Sequence, residues 1–193
     1  MLEDRLKIIY LHGFNSSSKS RKAQILKKSK LVRSLGIEIV LIDLPNSPKK
    51  AILQIEKIIV KNLKKVSLLG SSLGGLYATF LSDKYNLKSV TINPVVPSHL
   101  IDMKPLIGEH VNFHNNEKYE FSKEMFNDLL LLKVKKLKNP LNHFCFIKLN
   151  DEVIDQKEAI KYFAKGNLNI DYEGSHEYLG FESKLPLILD FLL

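Results

Sequence analysis

Two hydrophobic patterns alternate along most of the chain: short continuous apolar runs, and longer segments whose apolar residues recur at helical spacing. The short runs predict buried strands at residues 6–11, 37–42, 66–69, 89–93, 144–149 and 168–172. The longer segments predict helices at residues 20–34, 51–63, 76–84, 156–164 and 186–192. Strands that alternate with helices are typical of right-handed crossovers and a mostly parallel sheet. We therefore predict one α/β domain over residues 1–193, with about six strands and with helices on both faces of the sheet.

The stretch from Val66 to Gly75 connects a predicted strand to a predicted helix through a G-x-S-x-G pattern. Gly70 and Gly74 lie two positions on either side of Ser72, where a sharp turn needs small residues. Such a turn, a nucleophile elbow, projects the serine hydroxyl from the edge of the sheet. The pattern alone is weak because a turn rich in glycine and serine can also bind phosphate. The strand before it and the helix after it favour a nucleophile and predict the α/β-hydrolase fold.

A serine nucleophile needs a histidine base that a carboxylate orients. In this fold the three residues follow in the order serine, acid, histidine. Asp151 and His176 each come directly after a predicted strand, as Ser72 does, so all three should gather at one edge of the sheet. Asp155 is a second candidate for the acid, although its position favours capping of the next helix. Glu152 should point away from Asp151 if this segment is extended.

The loop after the first predicted strand begins His12-Gly13-Phe14-Asn15. In α/β-hydrolases this loop donates one of the backbone N–H groups that stabilise an oxyanion, and the residue after the nucleophile donates another. We expect the backbone N–H groups of Phe14 and Leu73 to form this oxyanion hole. His12 lies inside the turn, where a structural hydrogen bond fits better than a role as the base.

The remaining histidines lie outside the strand ends that carry these candidates, and we expect them at the surface or among the polar groups of an insertion. They are His99, His110, His114 and His143. Because no cluster of histidine, cysteine and aspartate has the spacing of metal ligands, neither a metal nor a cofactor is expected. The single cysteine, Cys145, should pack in the core. A lone cysteine fits a reducing, cytoplasmic compartment.

Residues 98–139 interrupt the alternation and are too numerous for a simple connection. Ser122 is a candidate N-cap for a helix over residues 123–137, and a short hairpin is expected within residues 111–121. This helix could simply cover the sheet, or the insertion could be a lid that forms an apolar acyl pocket above Ser72. In a lid, at least one of the residues on its apolar face should line the cavity above the serine. That face comprises Met125, Phe126, Leu129, Leu130, Val134 and Leu137.

Lysine residues account for most of the positive charge, which gives a formal net charge of +8. They are spread along predicted helix faces without the aromatic–basic motifs typical of nucleic-acid binding, so a solvated surface is the simpler interpretation and no nucleic-acid partner is expected. A modest attraction for acidic substrates such as coenzyme A esters is the alternative. No apolar stretch approaches the length of a membrane span and no secretory signal is recognisable, so stable membrane insertion is not expected.

Together these motifs resemble the YqiA-like esterases, a family of small bacterial α/β-hydrolases. The resemblance covers nearly the whole chain and rests on Leu11-His-Gly-Phe-Asn-Ser-Ser17, Gly70-Ser-Ser-Leu-Gly-Gly75, Asn93-Pro94, Asp151-Glu152-Val153 and a histidine shortly before an aromatic residue, His176. It implies hydrolysis of small-molecule carboxylic esters, and also of acyl-coenzyme A thioesters. Two positions depart from the family pattern: Asn150 replaces the glycine usual before the acid, and Ser175 replaces the asparagine usual before the histidine. Both change turn chemistry and leave the reacting groups in place.

The sequence thus predicts a serine hydrolase that forms an acyl-enzyme on Ser72, with Asp151 and His176 completing the triad. Two other functions stay open at this point. The same acyl-enzyme could transfer its acyl group to an alcohol or an amine. The chain could also be a non-catalytic binding module on a hydrolase scaffold, because a fold does not determine a function.

Overall fold

The computed structural model describes residues 5–112 and 116–193. Within these ranges the chain forms eight β-strands: β1 (Lys7–Leu11), β2 (Glu38–Leu41), β3 (Val66–Ser71), β4 (Ser89–Ile92), β5 (Gly108–Val111), β6 (Lys118–Phe121), β7 (His143–Lys148) and β8 (Asn167–Asp171). The same ranges form seven α-helices: α1 (Arg21–Lys28), α2 (Lys30–Ser34), α3 (Pro48–Asn62), α4 (Leu73–Tyr85), α5 (Lys123–Leu130), α6 (Gln156–Tyr162) and α7 (Phe181–Leu192). Segments of 3₁₀ helix cover Leu63–Lys65, Pro97–Leu106 and Pro140–Asn142.

Six of these strands form one parallel sheet in the order β2-β1-β3-β4-β7-β8. The predicted six-stranded parallel sheet is therefore confirmed. The chain builds outward from β1 to β2, then returns to add β3 and the remaining strands on the other side. In open α/β sheets, sites lie outside the carboxyl ends of the strands where the order reverses in this way. Here that point lies between β1 and β3.

Both faces of the sheet are covered by helices, as predicted. Alternate residues of a strand point to opposite faces. On one face, Ile8, Tyr10 and Leu69 pack against α1, α2 and α7. On the other face, Ile9 and Leu68 pack against α3 and α4, while residues of β7 pack against α6. The core is thus two apolar layers separated by one sheet, as expected for this α/β fold.

The helices predicted over residues 20–34 and 186–192 differ in extent from the observed ones. The helix predicted over residues 20–34 is broken at Ser29, whose ψ of 123° is extended and whose hydroxyl accepts a hydrogen bond from the Val32 N–H, starting α2. Serine readily caps a new helix in this way because its side chain competes for backbone groups. Helix α7 begins at Phe181, five residues before Pro186, which lies inside it. Among the described residues, no helix is both long and apolar enough to cross a membrane.

The insertion at residues 98–139 contains a 3₁₀ helix, the antiparallel pair β5–β6 and helix α5. The hairpin prediction is confirmed, although β5 begins at Gly108 and residues 113–115 lie outside the described residues. Ser122 caps α5 as predicted, by accepting a hydrogen bond from the Met125 N–H.

The predicted helix over residues 123–137 is wrong in its second half. Helix α5 ends at Leu130, and the Leu132 N–H turns back to the Leu129 carbonyl. Apolar residues before and after this turn enter different hydrophobic clusters, Leu129 with α3 and Leu137 with α6. The apolar residues keep helical spacing past Leu130 although the helix ends there, because the residues after the turn pack on a second apolar surface.

Candidate active site

Ser72 lies at the turn between β3 and α4 with φ of 55° and ψ of −121°. This left-handed region is strained for a residue with a side chain, and such strain concentrates at functional sites. A Cβ atom on Gly70 would lie 2.2 Å from the Gly74 carbonyl oxygen, and one on Gly74 would lie 2.0 Å from the Leu11 carbonyl oxygen. The flanking glycines are therefore required by close backbone packing, which is the physical content of the G-x-S-x-G pattern.

Ser72 and His176 line the same cavity, which has a volume of about 440 Å³. It opens beyond the carboxyl ends of β1 and β3, where the order of strands reverses. Its other lining residues come from β1 and the loop after it, from helix α1, from the elbow and from the two loops that carry the acidic and histidine candidates. They are Tyr10, Gly13, Phe14, Ser16, Ser20, Arg21, Lys22, Ser71, Glu152, Val153 and Glu177.

Asp151 and His176 are joined by a hydrogen bond of 2.8 Å between Oδ2 and Nδ1. The Asp151 side chain is fully buried, and its Oδ1 accepts hydrogen bonds from the Val153 and Ile154 N–H groups at 2.8 and 3.0 Å. Burial by itself would raise the pKa of the Asp151 carboxyl. The hydrogen bonds from His176 and from the backbone outweigh burial and hold this pKa below its ordinary value. The carboxylate is thus fixed in its ionised form beside the imidazole.

Asp155, the other candidate acid, has a different position. Its carboxylate accepts a hydrogen bond from the Lys157 N–H at 3.0 Å and caps α6, as the sequence predicted. The expectation for Glu152 was incomplete: its Oε2 accepts a hydrogen bond from the His176 backbone N–H at 2.9 Å. Two consecutive acidic side chains therefore hold the same histidine, one at the ring and one at the backbone.

The loop after β1 lies directly beside Ser72. A Cβ atom on Gly13 would lie 3.1 Å from the Ser72 Cβ, so glycine allows this close approach. His12 has the structural role expected for it, because its Nε2 accepts a hydrogen bond from the Leu44 N–H at 2.9 Å. Phe14 lines the Ser72 cavity, and both Phe14 and Leu73 line a small neighbouring cavity that shares Gly13 and Ser16 with it.

The matching family model covers residues 7–193. The chain belongs to the uncharacterised protein family UPF0227. This confirms the resemblance to the YqiA-like family. Its fold is shared with alpha/beta hydrolase domain-containing protein 10 from mouse, at 14% identity over 96% of this chain and 88% of that one, with a TM-score of 0.72. The same TM-score of 0.72 relates it to Est1E from Butyrivibrio proteoclasticus, at 15% identity over 98% and 89% of the two chains.

A third solved structure, the monoacylglycerol lipase of Paleococcus ferrophilus, matches with a TM-score of 0.72 at 13% identity, over 96% of this chain and 93% of that one. At such low identities these matches establish the fold alone. The UPF0227 chain therefore has the α/β-hydrolase fold that its elbow predicted.

One of the remaining histidines of this UPF0227 protein lies neither at the surface nor in the insertion, contrary to expectation. His143 is buried and its Nδ1 lies 2.9 Å from the Ser89 Oγ. Burial lowers the pKa of the His143 imidazole to about 4. His99 is also buried, accepting a hydrogen bond from the Val96 N–H and donating one to the Asp155 carbonyl. His110 is half-buried against the Phe14 ring, and His114 lies outside the described residues.

The expectation of an apolar wall supplied by residues 98–139 is wrong for the described part of the chain, because none of these residues lines the Ser72 cavity. The insertion reaches the sheet edge through its hairpin instead. Tyr119 donates a hydrogen bond to the Asn15 side chain, and Phe121 packs edge-to-face on Phe14 with ring centroids 5.6 Å apart. Met125 of α5 lines a different, adjacent cavity of about 510 Å³. A role as a mobile lid stays a prediction.

The described residues contain no group of three or more histidine, cysteine, aspartate or glutamate side chains that could hold a metal ion. Cys145 is fully buried in β7, and burial raises the pKa of its thiol to about 12. A thiol with so high a pKa is protonated at neutral pH and packs as a small apolar group.

Proposed function

We propose that this UPF0227 protein is a carboxylic ester hydrolase that forms an acyl-enzyme on Ser72. One observation carries the proposal: Ser72, in its strained elbow, shares a cavity with His176, whose Nδ1 is hydrogen-bonded at 2.8 Å to the buried Asp151 carboxylate. Nucleophile (Ser72), orienting acid (Asp151) and base (His176) follow one another along the chain in the order typical of this fold.

The hydrogen bond from Nδ1–H to Asp151 fixes the tautomer of His176. Its Nε2 then carries no proton and can accept one from the Ser72 hydroxyl. The serine Oγ attacks the acyl carbonyl, and the imidazolium that forms is stabilised by the ionised Asp151. His176 next returns the proton to the leaving alcohol or thiol. A water molecule, activated by the same imidazole, releases the acid and regenerates Ser72.

The tetrahedral intermediate carries an oxyanion that needs preorganised donors. We assign this role to the backbone N–H groups of Phe14 and Leu73. Leu73 is the first residue of α4, so the positive end of the helix dipole supports the same charge. A Cβ atom on Gly13 would lie 3.1 Å from the Ser72 Cβ, and this close approach of the β1 loop supports the assignment of Phe14.

The substrate class is a small-molecule acyl ester, with acyl-coenzyme A thioesters included on the basis of the family resemblance. Two of the solved structures with this fold support ester chemistry by their own descriptions, since one is a monoacylglycerol lipase and Est1E has been captured with ferulic acid. The Ser72 cavity is open and lined by both charged and apolar side chains, so we expect short and medium acyl esters to enter it.

The test is labelling with a serine-directed phosphonate, followed by mass mapping of the modified residue. We expect one label, on Ser72. The Ser72→Ala variant should not be labelled, and its kcat toward p-nitrophenyl esters should fall by about 10⁶-fold. Ser71→Ala is the matched control, because Ser71 lines the same cavity. It should still be labelled on Ser72.

Three outcomes would contradict the proposal. Full hydrolysis by Ser72→Ala would show that Ser72 is not the nucleophile. Labelling without turnover, when water and a panel of alcohols and amines are both offered as acceptors, would favour the non-catalytic binding module. Products formed only with an added acceptor would identify an acyltransferase.

A further inference from the structure

The loop that carries His176, residues 174–178, is held by side chains from three distant elements. This His176 loop has no regular secondary structure of its own, so the position of the imidazole depends on those contacts. Asp151 orients the ring. The backbone on both sides of the ring is fixed by Glu152, Asn93 and Lys22.

Glu152 and Asn93 hold the backbone at His176 itself. Glu152 Oε2 accepts the His176 N–H at 2.9 Å. The Asn93 amide donates to the Ser175 and His176 carbonyls at 3.1 and 3.3 Å. Asn93 is fully buried at the end of β4, and its Oδ1 accepts the Lys148 N–H at 2.8 Å. One side chain therefore ties the end of β4, the end of β7 and the His176 loop together.

Lys22 holds the next residue. Its ammonium donates a hydrogen bond of 2.6 Å to the Glu177 carbonyl, across 155 positions of sequence. Lys22 lies on α1, is only 8% exposed and lines the Ser72 cavity. Within residues 5–112 and 116–193, no carboxylate lies within ion-pairing distance of this ammonium.

A buried ammonium without a carboxylate partner is unfavourable for folding. The pKa of Lys22 reflects this, because burial lowers it to about 8 despite the opposing influence of Glu177. An apolar side chain of similar length would fill the same space without that cost. A lysine at this position is explained if its hydrogen bond to the loop serves the reaction rather than the stability of the fold.

We propose that Lys22 and Glu152, together with Asn93, form a clamp that positions His176 for proton transfer with Ser72. Lys22 and Glu152 are positioning residues, since they act through the loop backbone and not on the substrate. The inference rests on the proposed hydrolase function and adds to it a device that sets the distance between base and nucleophile. Small displacements of a catalytic group can cost about 10²-fold in rate.

The experiment compares Lys22→Met and Glu152→Ala with two matched variants. Lys28→Met makes the same change at an exposed lysine of α1. Glu152→Gln keeps an oxygen that can accept the His176 N–H. For each variant, kcat and KM for a p-nitrophenyl ester, the Tm and the proton NMR signal of the His176 Nδ1–H are measured. The buried Asn93 is left unchanged so that the core stays intact.

We expect Lys22→Met and Glu152→Ala to lower kcat by about 10- to 100-fold, with KM changed far less. The Nδ1–H signal should weaken or move upfield in both. Lys22→Met should have a Tm equal to or above that of the unmodified protein, Lys28→Met should keep its kcat, and Glu152→Gln should recover most of the kcat that Glu152→Ala loses.

The clamp is refuted if both variants keep their kcat and an unchanged Nδ1–H signal. It is refuted equally if the loss of kcat in Lys22→Met comes with a matching fall in Tm, because the contact would then serve the fold. Failure of the hydrolase proposal is a separate result, recognised by full activity in Ser72→Ala. The NMR signal still tests the clamp in that case, since it requires no turnover.

Discussion

Replacement of Asp151 by asparagine should disable the base while leaving the loop in place. The Asp151 carboxylate accepts hydrogen bonds on both oxygens, from Val153 and Ile154 N–H on Oδ1 and from His176 and Gln156 on Oδ2. Asparagine has one acceptor oxygen. If that oxygen keeps the two backbone donors, the new NH₂ group faces His176 and forces its Nδ1 to accept instead of donate.

The substitution therefore changes the protonation of the other ring nitrogen of His176, Nε2. With Nδ1 unprotonated, the proton of neutral His176 resides on Nε2, which can then no longer take a proton from Ser72. In a serine protease the same change lowers kcat by about 10⁴ through the wrong tautomer. Four powers of ten correspond to about 5.4 kcal/mol of activation free energy, and we expect a loss on this scale for Asp151→Asn.

Asp155→Asn is the matched control, four residues further along the same loop. Its carboxylate caps α6 and is exposed, and asparagine is as good an N-cap as aspartate. The assay is kcat/KM for ester hydrolysis across the neutral pH range, with the rate of phosphonate labelling as a second measure. A larger loss in Asp155→Asn than in Asp151→Asn would overturn the assignment of the acid.

Two further predictions test the core around the site. Because the folded pKa of His143 is about 4, below the ordinary imidazole pKa of 6.5, the unfolded state binds more protons between these pH values, and the free energy of unfolding should fall by about 3 kcal/mol as pH drops from 6.5 to 4. In His143→Gln, the free energy of unfolding measured in urea should depend less on pH over this range. An unchanged pH dependence would show that His143 is not the group responsible. Phe126→Ser should lower the Tm, since Phe126 packs with α3 and not in the Ser72 cavity. The same variant should lower kcat/KM for acetyl and long-chain esters to the same degree. A selective loss of activity toward long-chain esters would instead support the hypothesis that the insertion forms the acyl pocket.

The fold could be predicted because its signals are local. A buried parallel strand is a short apolar run, and the crossover helices have their own spacing, so a mostly parallel sheet with helices on both faces follows from the connection rules. The order of the strands was not predicted and comes from the structure. Helix ends were less predictable. Ser29 begins a second helix by capping it, and Leu137 continues the spacing of α5 although it packs against α6. Such boundaries depend on which surface a residue meets after folding.

The candidate triad could be located for a related reason. In a parallel sheet every strand end reaches the same edge, so a polar residue just after a strand is placed near the site by topology alone. Ser72, Asp151 and His176 satisfy that rule. The contact between Glu152 and the His176 N–H was missed because it depends on how two loops meet, and side-chain direction in a loop has no period from which it can be predicted.

Residues at the ends of sheet strands are fixed by the sheet, whereas the His176 loop is not, and this difference explains why the clamp includes an unfavourable buried charge. The sheet brings Ser72 and the end of β7 to fixed positions, since their strands are joined through β4 by backbone hydrogen bonds. His176 follows β8, the last strand of the sheet, and its loop must return toward Ser72 without such support. Backbone carbonyls that face inward there need donors, and an ammonium is the stronger donor because it is charged. Lys22 supplies one from helix α1. This buried ammonium fixes the loop but lowers the stability of the fold. Such a loss of stability is expected at a site where a catalytic base has to be held in one position.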